Sequence, residues 1–177
     1  MSSETRADGA VPAHSASANG SSNGSSNGPS NGGEWPPNIR AALKRMAPAS
    51  RYLGLEILDA NKDERWVKVA FNASDELCNM WGGIQGGMVA AMLDDVLAFA
   101  VGLDLDWGEI SPTLELKVSM LNPARPGRIL GEGRVIKRGK SVGFIEGELR
   151  DEKGTLLATA SSTATFVRLK KKEKTEG

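Results

Sequence analysis

The chain has 177 residues but only one histidine and one cysteine, and these two scarcities narrow its chemistry before any motif is considered. His14 falls in the polar N-terminal stretch, so no imidazole is expected in a folded core. Ser-His-Asp and Cys-His nucleophilic pairs require one, as do hydratases with a histidine base and zinc enzymes with histidine ligands. Cys78 stands alone, which rules out an intramolecular disulfide and a cysteine-rich zinc site. With no histidine to activate it, Cys78 reads as a small, buried or partly exposed apolar residue. Excess charge is missing too: Lys plus Arg and Asp plus Glu number 22 each, so nucleic acid is not an expected partner. No apolar run is long enough to span a bilayer, and the polar N-terminus lacks the apolar segment of a signal peptide. A soluble, cytoplasmic protein with no membrane association is expected. Any catalysis must rest on carboxylates, hydroxyls, amides, lysines or backbone dipoles.

Residues 1–33 are rich in Ser, Asn, Gly and Ala, with repeated Ser-Asn-Gly units and no apolar period. Such a stretch buries too little surface to offset its ordering entropy and reads as a disordered tail. One domain is expected over residues 34–168, followed by a charged tail over residues 169–177 that reads as solvated. Within the domain, residues 39–46 form an amphipathic pattern with Asn38 as the expected N-cap and an end near Pro48. Residues 52–58 and 65–71 alternate polar with apolar about a turn-rich linker, predicting an antiparallel hairpin. Four more alternating segments follow, at 113–121, 128–137, 141–150 and 155–166, with tight links at 138–140 and 151–154. Between the two sets lies residues 86–102, apolar nearly all round, as expected of a helix buried on most sides. The predicted class is α+β: a six-stranded antiparallel sheet around one long central helix.

That helix opens on Gly86-Gly87 and carries Asp94-Asp95 midway. A helix N-terminus presents unpaired N–H groups and positive dipole charge, and glycine lets a ligand approach the backbone closely. The pair either polarises a carbonyl or merely permits tight helix–sheet packing. The glycines of residues 82–87 do not satisfy the dinucleotide pattern, and no phosphate loop occurs. A carboxylate on an apolar helix is costly unless it is paired or used. One reading makes an acid here catalytic; the other has both acids capping loops or pairing with Arg or Lys.

Taken together, Asn79-Met80-Trp81-Gly82-Gly83-Ile84-Gln85-Gly86-Gly87, with Asp94 eight residues after Gly86, resembles the phenylacetate-degradation (PaaI-like) branch of the hotdog-fold thioesterases. Thr113-x-x-Leu116 leading to Asn122-Pro123-Ala124 is similar to that family's strand after the helix. Residues 137–141 and 154–160 match its last two hairpins, and the similarity spans roughly Tyr52 to Val167. The chain departs from the family at Gln85, where a histidine is usual; glutamine can replace it if the position orients the loop by hydrogen bonds.

The resemblance implies hydrolysis of an acyl- or aroyl-coenzyme A thioester with no cofactor and no metal. Asp94 is implied as nucleophile or general base, the Gly86 or Gly87 N–H as the oxyanion donor, and Asn79 and Thr113 as groups that hold water, carbonyl or carboxylate. Trp81, Trp107, Met80, Met88 and Met92 either line an acyl pocket or pack the core. Arg125, Lys137, Arg138 and Lys140 either bind the phosphates of coenzyme A or are ordinary surface charge. An exposed sheet edge favours pairing with a second copy, and the family forms dimers and tetramers with sites at subunit interfaces. Asp94 and Gly86 of one site are then expected from different chains. A non-catalytic acyl-CoA-binding module is the alternative, and Gln85 is what makes it credible.

Overall fold

The computed structural model describes Pro29, residues 34–106 and residues 108–169. The expected N-terminal tail, Pro29 apart, lies outside the described residues, as do Trp107 and the lysine-rich stretch after Leu169.

Two short helices, α1 (Pro37–Lys44) and α2 (Pro48–Tyr52), precede the hairpin of β1 (Leu55–Asn61) and β2 (Trp66–Ala73). The long helix α3 (Gly86–Gly102) follows, then β3 (Glu109–Ile110), β4 (Thr113–Met120), β5 (Gly127–Arg138), β6 (Val142–Asp151), β7 (Leu156–Thr165) and β8 (Val167–Arg168). Six strands form one antiparallel sheet in the order β1-β2-β5-β6-β7-β4, with β1 and β4 at its edges. This is the α+β hotdog architecture expected from the sequence. A separate two-stranded ribbon, β3 with β8, was not foreseen.

Helix α3 buries Val89, Met92, Leu93, Val96, Leu97, Ala100 and Val101. Those positions recur at three and four residues and make one continuous stripe against the sheet. The other positions of the helix are partly buried, apart from the exposed Gly87 and Ala98, as expected of a helix covered on most sides. On the sheet, β5 turns Ile129, Gly131, Gly133 and Val135 inward, and Arg128, Leu130, Glu132, Arg134 and Ile136 away from the helix. The inward glycines bring helix and sheet unusually close. A Cβ on Gly133 would stand 2.7 Å from Val96 Cγ1 and 2.9 Å from the Val96 carbonyl oxygen. One on Gly131 would stand 2.6 Å from Val96 Cγ2, and one on Gly147 of β6 3.0 Å from Leu97 Cδ2. Helix α3 thus rests almost directly on strand backbone.

Two local expectations need correction. Asn38 does not cap α1: Pro36 holds that position, Pro37 begins the helix, and no side chain caps it. The Asn38 Nδ2 instead donates to the carbonyls of Gly102 and Leu105, both at 2.8 Å, tying α1 to the end of α3. Pro48 lies past the end of the first helix as expected, but it also starts α2, since a proline suits the first helical turn. Among the described residues, no helix is long and apolar enough to cross a membrane.

Candidate active site

The loop before α3 is shaped by its backbone. Asn79 N–H donates to the Gly83 carbonyl at 2.8 Å, and Gly82 N–H returns to Asn79 at 3.0 Å. Gly82 takes φ +74°, a left-handed value that glycine adopts without strain. The Asn79 side-chain oxygen accepts from the N–H groups of Trp81 (2.9 Å) and Gly83 (3.4 Å). Only its amide nitrogen is left to face a ligand. The Gln85 backbone N–H donates to the Leu77 carbonyl at 2.8 Å, while its side chain is exposed and does not cap the helix. The loop is therefore oriented by the main chain at Gln85.

Helix α3 begins at Gly86, and the N–H groups of Gly86 and Gly87 have no carbonyl four residues back within the helix. Met120, at the end of β4, packs over Gly86: its Cε and Sδ would lie 3.1 and 3.2 Å from a Cβ placed there. Met80 and Trp81 stand 86% and 80% exposed beside this mouth, outside the core. Met92 is fully buried and Met88 packs against the core, so those two are structural. The Arg125 guanidinium reaches the Gly82 carbonyl at 3.3 Å, which sets one cation beside the helix N-terminus.

Two turns further on, Thr113 Oγ1 donates to Asp94 Oδ1 at 3.0 Å. Asp94 is half-buried and Thr113 is exposed at the start of the edge strand β4. Thr113 is held there by its neighbours, because Thr165 N–H donates to the Pro112 carbonyl at 3.0 Å. The structure thus joins two of the residues singled out in the sequence, Asp94 and Thr113, and separates them from Gly86, Gly87 and Asn79. Asp94 lies eight positions after Gly86 on the helix, a rise of about 12 Å.

Asp95 takes the other course open to a mid-helix acid. Its Oδ1 accepts from the buried Ser50 hydroxyl of α2 at 3.2 Å, and its Oδ2 is buried without a partner among the described residues. Burial pushes its pKa up to about 6; the Ser50 hydrogen bond opposes this, and the neighbouring Asp94 adds to it.

The other expected cations, Lys137, Arg138 and Lys140, fall elsewhere. Thr113, Ala164, Gly143 and Arg138 lie on one row across four neighbouring strands, so Arg138 stands about 14 Å from Thr113 along the sheet. The Arg138 guanidinium stacks 3.5 Å over the Phe166 ring and pairs with Glu109 at 3.5 Å. It is a fastening between β5 and the β3–β8 ribbon, not a free surface charge. Lys137 and Lys140 remain exposed on the same hairpin. Ser50, Met120 and the β3–β8 ribbon were missed in the sequence, where no local periodicity marks them.

Among the described residues, no cluster of His, Cys, Asp and Glu could hold a metal ion. The profile of the Thioesterase superfamily matches residues 82–158, which include the α3 mouth, Asp94 and Thr113. A phenylacetic acid degradation-related protein of Ralstonia eutropha JMP134 is 35% identical, with a TM-score of 0.68, covering 72% of this chain and 98% of that one. The medium/long-chain acyl-CoA thioesterase YigI of Salmonella typhimurium is 29% identical over 68% of this chain and 84% of its own length. The PaaI protein of the Escherichia coli phenylacetic acid degradation operon shares the fold at 18% identity, with a TM-score of 0.66 over 75% of this chain and 94% of that one. The chain belongs to the hotdog-fold thioesterase superfamily and is a thioesterase.

Proposed function

We propose that the protein hydrolyses acyl-coenzyme A thioesters at a site shared by two copies of the chain, with Asp94 of one copy facing the Gly86 mouth of the other. The observation that carries this reading is the Thr113–Asp94 hydrogen bond at the open edge of the sheet. Edge strand β4 exposes Leu114 and Met120, at 61% and 55%, and Met120 pairs in register with the buried Ala158. An eight-residue edge strand with uncovered apolar side chains favours pairing with its own copy. Antiparallel pairing about the middle of β4 sets Thr113 of one copy opposite Met120 of the other. Thr113 holds Asp94 and Met120 covers Gly86, so this register brings the carboxylate to the partner's helix N-terminus. A single chain keeps the two about 12 Å apart along α3.

The chemistry then follows from the positions. The Thr113 hydroxyl fixes Oδ1 of Asp94, leaving Oδ2 to take a proton from water as its oxygen bonds to the thioester carbon. The oxyanion formed is stabilised by the free N–H groups at the glycine mouth, a contribution of about 3–4 kcal/mol per donor. Cleavage of the C–S bond releases the coenzyme A thiolate, which takes the proton back from Asp94, and the acid departs. Arg125 at the same mouth offers a cation to the phosphates.

Thiol release from a panel of acyl-coenzyme A esters tests the reading. Asp94→Asn should lower kcat by roughly 10²–10⁴-fold with the urea midpoint unchanged, the loss typical of a general base. Full turnover in that variant removes Asp94 from the mechanism. Tight binding of the esters without thiol release by the native chain would favour a binding module instead.

A further inference from the structure

Strict alternation along β4 would carry the Thr113 hydroxyl away from α3. Leu116 and Val118 pack against the core, so counting back by twos turns Leu114 inward and Thr113 outward. The strand breaks that count with a bulge. Thr113 lies opposite the buried Ala164 and Glu115 opposite Thr163, which leaves Leu114 as the extra residue without a partner on β7. This one irregularity brings Thr113 round to the helix side, where its hydroxyl meets Asp94 at 3.0 Å. Slippage of the strand start by one position would undo it, because side chains change faces at every step.

The chain just before the bulge is fastened from outside the strand. Ile110 pairs with Val167 in the β3–β8 ribbon, and a ribbon of two residues a side has little hold of its own. Side chains supply the rest at Glu109. Its Oε2 accepts from the Asp106 N–H at 3.1 Å and faces the Arg138 guanidinium at 3.5 Å, and its Oε1 lies 3.8 Å from Arg168. Arg138 is itself fixed from below by the Phe166 ring, 3.5 Å away. That ring occupies the space over Gly143, where a Cβ would stand 2.8 Å from its Cζ. We propose that Arg138 is a positioning residue for hydrolysis: seated on Phe166, it holds Glu109 and so keeps the bulged start of β4 in the register that sets the Thr113 hydroxyl on Asp94. This rests on the reading of Asp94 as the general base. Arginine suits the task because its plane stacks on a ring while its edge meets a carboxylate. Both partners are partly buried, so loss of either leaves the other charge poorly compensated and the corner loosened.

The test measures kcat and KM for the best acyl-coenzyme A ester in Glu109→Gln and Arg138→Met, each alone and combined with Thr113→Val. Each single change should lower kcat by roughly 3–10-fold with KM within about twofold of the native value, since a group is misplaced and no contact to substrate is lost. Added to Thr113→Val, neither should cost anything more, because both act through the same hydroxyl. A phosphate contact made by Arg138 predicts a different pattern: Arg138→Met raises KM, and Glu109→Gln, which frees the cation, does not lower kcat. Should Arg138→Met fail to fold, Gly143→Ala displaces the Phe166 ring and should give the same loss of kcat. Native kcat in Glu109→Gln overturns the proposal, as do losses that add to that of Thr113→Val or a change confined to KM. A crystal structure of Glu109→Gln separates this idea from the hydrolysis reading. Thr113 drawn out of hydrogen-bond reach of Asp94 supports the fastening even if the native chain releases no thiol, an outcome that sinks hydrolysis alone. The bond unchanged at 3.0 Å sinks the fastening and leaves hydrolysis standing.

Discussion

Removing the charge at Asp95 should make the protein more stable at neutral pH and leave it little changed at acid pH. The carboxyl titrates at an ordinary 3.8 in the unfolded chain and at about 6 in the folded one, because burial disfavours its charge. Between those values the unfolded chain is ionised while the folded chain is not, so rising pH draws the equilibrium toward unfolding. Above pH 6 both forms are charged and the loss is complete. The interval of about 2 pH units corresponds to about 3 kcal/mol if the carboxyl were wholly enclosed. Asp95 is only half-buried, so solvent screens part of this and about 1–2 kcal/mol is expected. Asp95→Asn keeps an oxygen for the Ser50 hydroxyl and has no charge to develop. Urea unfolding of both proteins, at one protein concentration and at steps from pH 4 to pH 7.5, isolates this contribution as the difference between the two curves. The difference should move in favour of Asp95→Asn by that amount between pH 4 and pH 6, then stay flat. Parallel curves across the range would refute the argument, since they would mean that Asp95 ionises alike in both states.

Thr113→Val removes the hydroxyl that fixes Asp94 and should lower kcat by roughly 5–10-fold, the worth of one ordinary hydrogen bond; steady-state thiol release measures it. Gly133→Ala drives a methyl group against Val96 and should destabilise the fold by about 1–3 kcal/mol in urea unfolding, because neither backbone can yield. Leu114→Glu puts a charge on the exposed apolar side of β4 and should shift sedimentation toward the single chain, with loss of hydrolysis in parallel.

Much of the fold was legible because its signals are local. The recurrence of Val89, Met92, Leu93, Val96 and Leu97 marks the buried stripe of α3, and alternation marks all six strands of the sheet to within three residues at each end. Asp94 stood out as an acid on an apolar helix, and the structure gives it a partner in Thr113. What stayed hidden depends on residues far apart in the chain. Asn38 has the residue type of a cap, yet its partners are 64 and 67 positions away, and no local pattern reports such a tie. Asp95 and Ser50 are 45 positions apart, so no local pattern in the sequence points to Ser50 as the partner of Asp95. The β3–β8 ribbon is two residues long on each side, too short for alternation to register. Arg138 looked like any surface cation because its ring partner, Phe166, comes from a different strand end.

The glycine track beneath α3 separates two design problems that enzymes usually have to solve together. Because Gly133 meets the Val96 main chain directly, while Gly131 and Gly147 make room for the Val96 and Leu97 side chains, the helix is seated on the strands themselves. The acid at position 94 inherits that fixed seat. The opposite flank of the same helix, with Ala98 and Phe99 under the α1 roof, faces away from that seat, so changes of shape there leave the helix's place on the sheet untouched.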